Sequence, residues 1–374
     1  MFIASSNAVE STGADVILLT IGDLPDFLTH HGHCEYNGPQ SSERPYSLYA
    51  PSRHRPLRTA IADYHSRQTG QLVSAENVAV VQGAQCALYV AAMCTLQPGD
   101  EVIMSDPVYS TYPAVIGATG ATPCYVPLHA ERNFHLDLQE VAGAITPRTR
   151  AMLFNTPHNP TGAVMTRDEV AGLAQLALQH DLWLITDEVY ANFTYTHPHT
   201  SPASMPALAD RAITVSSLSK SHAMTGWRLG WVIGPAEMIE YASRLLMVMS
   251  YGGPPFIQDG AVTALTAEIS EVAEMRHAYR KRAEVVAEIL SDTPGIGCCE
   301  TEGGMYALLD VRHSGLSSMD FAARACAEAH VAMLPGDAFG PNLQGYLRLS
   351  LVVPEERLIE ACQRVRRFAT EKFG

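Results

Sequence analysis

The 374-residue chain is short of positive charge: 25 Lys and Arg stand against 39 Asp and Glu, a formal net charge of −14. That balance, with no basic run to offset it, excludes a nucleic-acid backbone or an anionic membrane as the main partner. No stretch approaches the roughly 20 continuous apolar residues that span a bilayer. Met1–Asp15 has no charged stretch leading into an apolar one, so no secretory signal is expected and the cytoplasm is the expected compartment. The eight cysteines lack C-x-x-C spacing; apart from the neighbours Cys298 and Cys299 they are scattered and read as reduced thiols. The H-x-H pairs His31/His33 and His197/His199 have no carboxylate or cysteine at ligand spacing, so no metal is expected. No G-x-G-x-x-G follows an expected strand, which argues against a nicotinamide dehydrogenase. Internal repeats and low-complexity tracts are also missing. What remains is 47% hydrophobic and 17% charged, with 27 Gly and 23 Pro. That composition describes a packed globular protein, long enough for a large domain and a smaller one.

Apolar runs and helical spacings alternate along the chain. Strands are expected at Val16–Thr20, Val78–Val81, Val102–Met104, Cys124–Val126, Ala151–Phe154, Trp183–Thr186, Ala212–Val215 and Leu229–Ile233. Helices are expected at Leu57–Arg67, Ala84–Leu96, near Thr111–Thr119, and at Arg167–His180. The fold class is therefore α/β, with a mostly parallel sheet covered on both faces. Beyond Gly234 the pattern changes. Pro255 to about Leu290 is helical, as one long helix or two, and Gly303–Leu309, Met319–His330, Tyr346–Val352 and Glu355–Lys372 form a smaller α/β lobe. Leu28–Ser47 has no period and reads as loop. The expected division is 1–47 as an N-terminal segment, 48–260 as the large domain and 261–374 as the small one.

In open parallel sheets the ligand lies beyond the carboxyl ends of the strands. Gly83, Tyr109, Asn159 and Asp187 occupy such ends. Gly83 also turns a strand into a helix, which offers the N–H groups of Gly83, Ala84 and Gln85 to a phosphate. The densest stretch is Ser216–Trp231, which sets Lys220 among hydroxyls between two core strands, with Arg228 eight residues on. A lysine amine desolvated there becomes a nucleophile able to form a Schiff base. Its serines and arginine are phosphate donors.

Taken together, Asp106-Pro107-Val108-Tyr109, Asn155-Thr156-Pro157-His158-Asn159-Pro160-Thr161-Gly162, Asp187-Glu188-Val189-Tyr190 and Ser217-Leu218-Ser219-Lys220 with Arg228 resemble the pyridoxal-phosphate aminotransferases of fold type I, class I/II. The likeness runs from about Leu19 to the C-terminus. Gly83–Tyr89, Ser217–Arg228, Tyr251-Gly252 and Phe256–Asp259 look most like the bacterial arginine–pyruvate branch of that family. The resemblance implies a seven-stranded large-domain sheet and pyridoxal 5'-phosphate as cofactor. It further implies an amino acid and a 2-oxo acid as substrates, and a homodimer with shared sites. It makes Lys220 the cofactor-bearing lysine and proton shuttle, and Asp187 the partner of the pyridine nitrogen. Tyr190 and Asn159 become partners of the cofactor's phenolic oxygen, and Tyr109 its stacking residue. Gly83, Ala84, Gln85, Ser217, Ser219 and Arg228 become phosphate ligands, joined by Tyr49 from the neighbouring subunit. Arg348 and Gly22, with Asn159, would hold the substrate carboxylate. Asp23 and Asp26 are candidates for a cationic side chain. Two departures fall in the N-terminal part: Leu24 is an extra residue beside Gly22-Asp23, and His54 replaces a glycine. A C–S β-lyase of the same fold is the enzymatic alternative. A cofactor-sensing domain of a regulator is the non-enzymatic one, but Met1–Ala14 is too short for a DNA-binding segment.

Overall fold

The structure, a computed structural model, describes residues 14–20, 54–267 and 269–374. Its larger sheet has seven strands: β2 (Val78–Val81), β3 (Glu101–Asp106), β4 (Thr122–Pro127), β5 (Thr149–Asn155), β6 (Trp183–Asp187), β7 (Ala212–Ser217) and β8 (Gly230–Ile233), with β1 (Ile17–Leu18) lying apart from it. The spatial order is β2-β8-β7-β6-β5-β3-β4. All are parallel except β8, which runs antiparallel to both neighbours. The near-continuous apolar runs follow from this: Val102, Ile103, Met104, Leu184 and Ile185 are buried because helices cover both faces.

The covering helices are α1 (Arg55–Thr69), α2 (Ala84–Thr95), α3 (Tyr112–Gly117), α4 (Leu138–Gly143), α5 (Arg167–Gln179), α6 (Leu218–Ser221), α7 (Ala236–Met249) and α8 (Pro255–Thr266). Local chemistry sets their starts. Thr166 and Glu169 form a reciprocal capping box on α5. On α1 the cap is His54, whose Nδ1 accepts from the Leu57 N–H at 3.2 Å while Nε2 meets Asp259 of α8 at 2.9 Å. The histidine that departs from the family pattern thus ties two helices together. Leu24, the other departure, lies outside the described residues, as do His31 and His33.

A second sheet, β12 (Leu334–Pro335), β13 (Tyr346–Ser350), β10 (Tyr306–Asp310) and β9 (Gly297–Cys298), is antiparallel, and β1 pairs with β11 (Val331–Ala332) beside it. Helices α9 (Ser270–Leu290), α10 (Ser318–Arg324) and α11 (Glu355–Phe373) pack on this smaller lobe. The helical stretch from Pro255 to Leu290 is therefore two helices, α8 and α9. Helices α4 and α7 were not legible in the sequence. The expected Met319–His330 helix ends in a π turn over Ala325–Ala329.

Candidate active site

Chain direction places the lysine. β7 ends at Ser217, one turn of helix follows, and the chain returns antiparallel along β8, so Lys220 stands beyond the carboxyl end of the sheet. Ser217 caps that turn, its Oγ accepting from the Ser219 N–H at 3.3 Å. On the other side of β8, the turn from β2 into α2 comes close. A Cβ on Gly230 would lie 2.6 Å from the Gly83 carbonyl carbon and 2.8 Å from the Ala84 nitrogen, so only glycine permits this approach.

Gly83 has φ +82 and no side chain to cap α2. The leading N–H groups of that 12-residue helix therefore face the cavity, at the positive end of its dipole. Arg228 is held by its Nη1 donating to the Thr225 carbonyl at 2.8 Å, and its guanidinium lies against Gly83: Nη2 is 2.5 Å from where a Cβ would sit. Ala84, Gln85, Ser217, Ser219 and Arg228 converge on one end of a cavity of about 550 Å³. Backbone donors, two hydroxyls and a guanidinium form a donor set suited to a phosphate.

The middle of the cavity holds a buried carboxylate. Asp187 ends β6; its Oδ2 accepts from the Tyr112 hydroxyl at 2.8 Å and its Oδ1 from the Val189 N–H at 3.1 Å. Burial pushes its pKa up to about 6 against those hydrogen bonds. Such a group suits a cationic partner. Tyr109 stands beside it, its ring set edge-on to Tyr112 at 5.5 Å. Neighbouring Glu188 is buried too but is fully engaged by Thr186, Ser201 and His199, so it serves the fold.

The far end is built by the smaller lobe. Arg348 of β13 is 5% exposed. Its Nη1 donates to Asn159 Oδ1 at 3.0 Å and its Nη2 to the Thr20 carbonyl at 2.9 Å, while Nε has no partner. The guanidinium lies 4.0 Å from the Tyr306 ring centroid and 4.8 Å from that of Phe339. Among the described residues no carboxylate forms an ion pair with it. Among those residues the structural ion pair that could have explained a mid-strand arginine is not made, and a buried guanidinium with neutral partners there suits an anion. The rings of Tyr190 and Tyr306 meet edge-on, with centroids 6.1 Å apart. Burial raises the Tyr306 phenol, but the charges of Arg348 and Lys220 together with the neighbouring Tyr190 hydroxyl bring it below its ordinary value.

Eleven residues singled out in the sequence thus surround one cavity: Ala84, Gln85, Tyr109, Asn159, Asp187, Tyr190, Ser217, Ser219, Lys220, Arg228 and Arg348, with Gly83 against its rim. Gly22 and Tyr49, and with them Asp23 and Asp26, lie outside the described residues. Sequence reasoning missed Tyr112, Tyr306, Asn155 and Phe339, which also line the cavity. Tyr306 had a signal in Gly303-Gly304 opening an apolar strand, and Tyr112 one in its three-residue spacing from Tyr109. Phe339 had none.

A lysine at the end of a parallel sheet, a buried aspartate before it and an anion cradle at a helix N-terminus define a fold type I enzyme that works with pyridoxal phosphate. The chain belongs to the aminotransferase class I and II family, whose sequence profile matches residues 14–365. It is 47% identical over 369 residues to arginine–pyruvate transaminase AruH of Pseudomonas aeruginosa, covering 97% of this chain and 92% of that one. It is 34% identical to an aspartate aminotransferase of Streptomyces avermitilis, covering 98% and 92%. Among solved structures, a Thermus thermophilus aspartate aminotransferase double mutant superposes with a TM-score of 0.91 at 31% identity, covering 98% of this chain and 96% of that one. A Thermotoga maritima aspartate aminotransferase does so at 0.90 and 33%, covering 98% and 95%. The chain is a pyridoxal-phosphate-dependent aminotransferase.

Proposed function

We propose that this enzyme moves the α-amino group of a basic amino acid, arginine first, to a 2-oxo acid such as pyruvate, in ping-pong order. Bound pyridoxal phosphate supplies the electron sink for the pair left when the substrate Cα loses its proton. Lys220 Nζ would hold the cofactor and, once freed by the incoming amine, would move the proton between the substrate Cα and the cofactor's aldehyde-derived carbon. Asp187 would pair with the ring nitrogen and keep it protonated. Tyr109 would pack on the ring face, and Tyr190 and Asn159 would hydrogen-bond the phenolic oxygen. Gly83, Ala84, Gln85, Ser217, Ser219 and Arg228 bind the phosphate, with Tyr49 contributed by a second copy. Arg348, helped by Asn159 and the Gly22 backbone, grips the α-carboxylate.

The observation that carries the donor choice is a count of cations. Among the described residues, Lys220, Arg228 and Arg348 are the basic side chains lining the cavity. With one on the cofactor, one on the phosphate and one on the α-carboxylate, none of the described cations is left for a second carboxylate. A dicarboxylic donor would bury an unpaired charge, at a cost of several kcal/mol. Asp23 and Asp26 offer carboxylates for a cationic donor, and the 47% identity to an arginine–pyruvate transaminase points the same way. Comparison of kcat/KM for arginine, lysine, alanine and aspartate with pyruvate as acceptor tests this. We expect arginine to exceed aspartate by on the order of a hundredfold; an enzyme preferring aspartate would overturn the donor assignment.

The same proposal extends to assembly and compartment: a cytoplasmic homodimer of a large domain over 48–260 and a small one over 261–374, with 1–47 closing on the site. Support for a second copy comes from apolar side chains left open on one stretch, Tyr241, Val248, Met249, Tyr251 and Phe256, of which Val248 is 82% exposed. Among the described residues no helix is long and apolar enough to cross a membrane.

A further inference from the structure

Tyr112 lines the cavity, yet none of the roles above uses it. It opens α3, where its N–H donates to the Tyr109 carbonyl at 3.0 Å, so the two tyrosines share one turn. Its side chain is buried, and its hydroxyl is 2.8 Å from Asp187 Oδ2. Its ring meets that of Tyr109 edge-on, at 78°. One buried side chain therefore touches both Tyr109 and Asp187.

We propose that Tyr112 is a positioning residue of the reaction: its hydroxyl fixes Asp187 as the anionic partner of the pyridine nitrogen, while its ring backs Tyr109. The inference rests on the reading of Asp187 given above. A desolvated carboxylate next to another acid tends to take up a proton and become useless as an anionic partner. The groups around Asp187 are Glu188 next to it in the chain, Tyr109 and Tyr112 from the β3–α3 turn, Tyr190 just past β6, and Lys220 on α6. Burial and Glu188 both favour the protonated form; the Tyr112 hydroxyl and the Val189 N–H oppose it. A neutral donor is the right kind here. An arginine or lysine would hold the carboxylate equally well, but its charge would compete with a protonated ring nitrogen for the same anion. The phenol gives a hydrogen bond without a charge. Burial and the neighbouring carboxylate hold its own ionisation well above the ordinary range, so it stays a donor throughout the working pH.

The test is the affinity of the apoenzyme for pyridoxal phosphate across pH, followed by fluorescence quenching, for wild type, Tyr112→Phe and Asp187→Asn. Wild-type affinity is expected to fall as pH drops through the range where Asp187 protonates. In Y112F, which keeps the ring against Tyr109, that fall should begin about one pH unit higher. The dissociation constant should then rise roughly tenfold on the acid limb and differ little in mild alkali. A profile that superimposes on wild type, or a loss by the same factor at every pH, would overturn the inference. If D187N keeps both the wild-type affinity and its pH dependence, the underlying reading of Asp187 fails instead. Should Y112F not fold, a fluorinated tyrosine at position 112, a stronger donor of the same shape, must shift the acid limb to lower pH; no shift or an upward one would contradict the proposal.

Discussion

On the proposed reading, Arg348 carries substrate recognition in a single side chain. Its Asn159 and Thr20 partners are neutral oxygens, which orient the guanidinium without discharging it. Arg348→Lys keeps the charge but loses the planar fork. Its KM for the amino donor should rise about ten- to a hundredfold in steady-state kinetics, while the cofactor absorbance stays unchanged. Gly83 is proposed to carry the phosphate end in the same way. An alanine there meets Arg228 and must also adopt φ +82, so Gly83→Ala should weaken pyridoxal phosphate binding roughly tenfold by titration of the apoenzyme. Much of this was legible in the sequence, because Lys220, Asp187, Asn159 and Arg228 sit in short motifs where chemistry and spacing coincide. Tyr112 and Tyr306 left only faint signals, in the spacing from Tyr109 and in Gly303-Gly304, and those do not say whether an aromatic packs a core or bonds a carboxylate. Only the third dimension separates those cases.

At the level of elements, the joints between the lobes are polar and specific. Glu302, just before β10, accepts from the Val164 N–H at 2.9 Å and from His135 Nε2 at 2.9 Å, while His135 Nδ1 meets Glu169 of α5 at 3.0 Å. The two carboxylates raise the His135 pKa to about 10 and their own are lowered in return. The stabilisation from His135 is complete below its unfolded pKa near 6.5 and is lost as pH rises through about 10. The glutamates' share is present above their unfolded value and is lost as pH falls through the lowered one. His135→Ala should therefore cost about 1–3 kcal/mol at neutral pH in urea unfolding, with the difference shrinking towards both extremes. None of this bridge was readable in the sequence, since its histidine and glutamates are far apart along the chain. The strands were readable because full burial makes them continuous apolar runs. Helix α4 was not, since six residues show too little of a 3.6-residue period.

For the molecule as a whole, two sheets and the helices between them bring residues from Thr20 to Arg348 around one cavity. The open apolar stretch around Val248 should make the chain sediment as twice its 40.5 kDa mass at micromolar concentration. Val248→Glu should push it towards monomer and lower cofactor occupancy if Tyr49 is shared between copies. The most direct measurement is the visible spectrum of the purified holoenzyme with excess L-arginine and then pyruvate, beside Lys220→Ala. We expect a yellow band that arginine bleaches to the pyridoxamine form, that pyruvate restores, and that the K220A protein does not interconvert at a comparable rate. A band in the wild type that neither arginine nor any other amino acid discharges, or a K220A protein that exchanges amino groups as fast as wild type, would contradict the assignment of Lys220 as the working lysine of a transaminase.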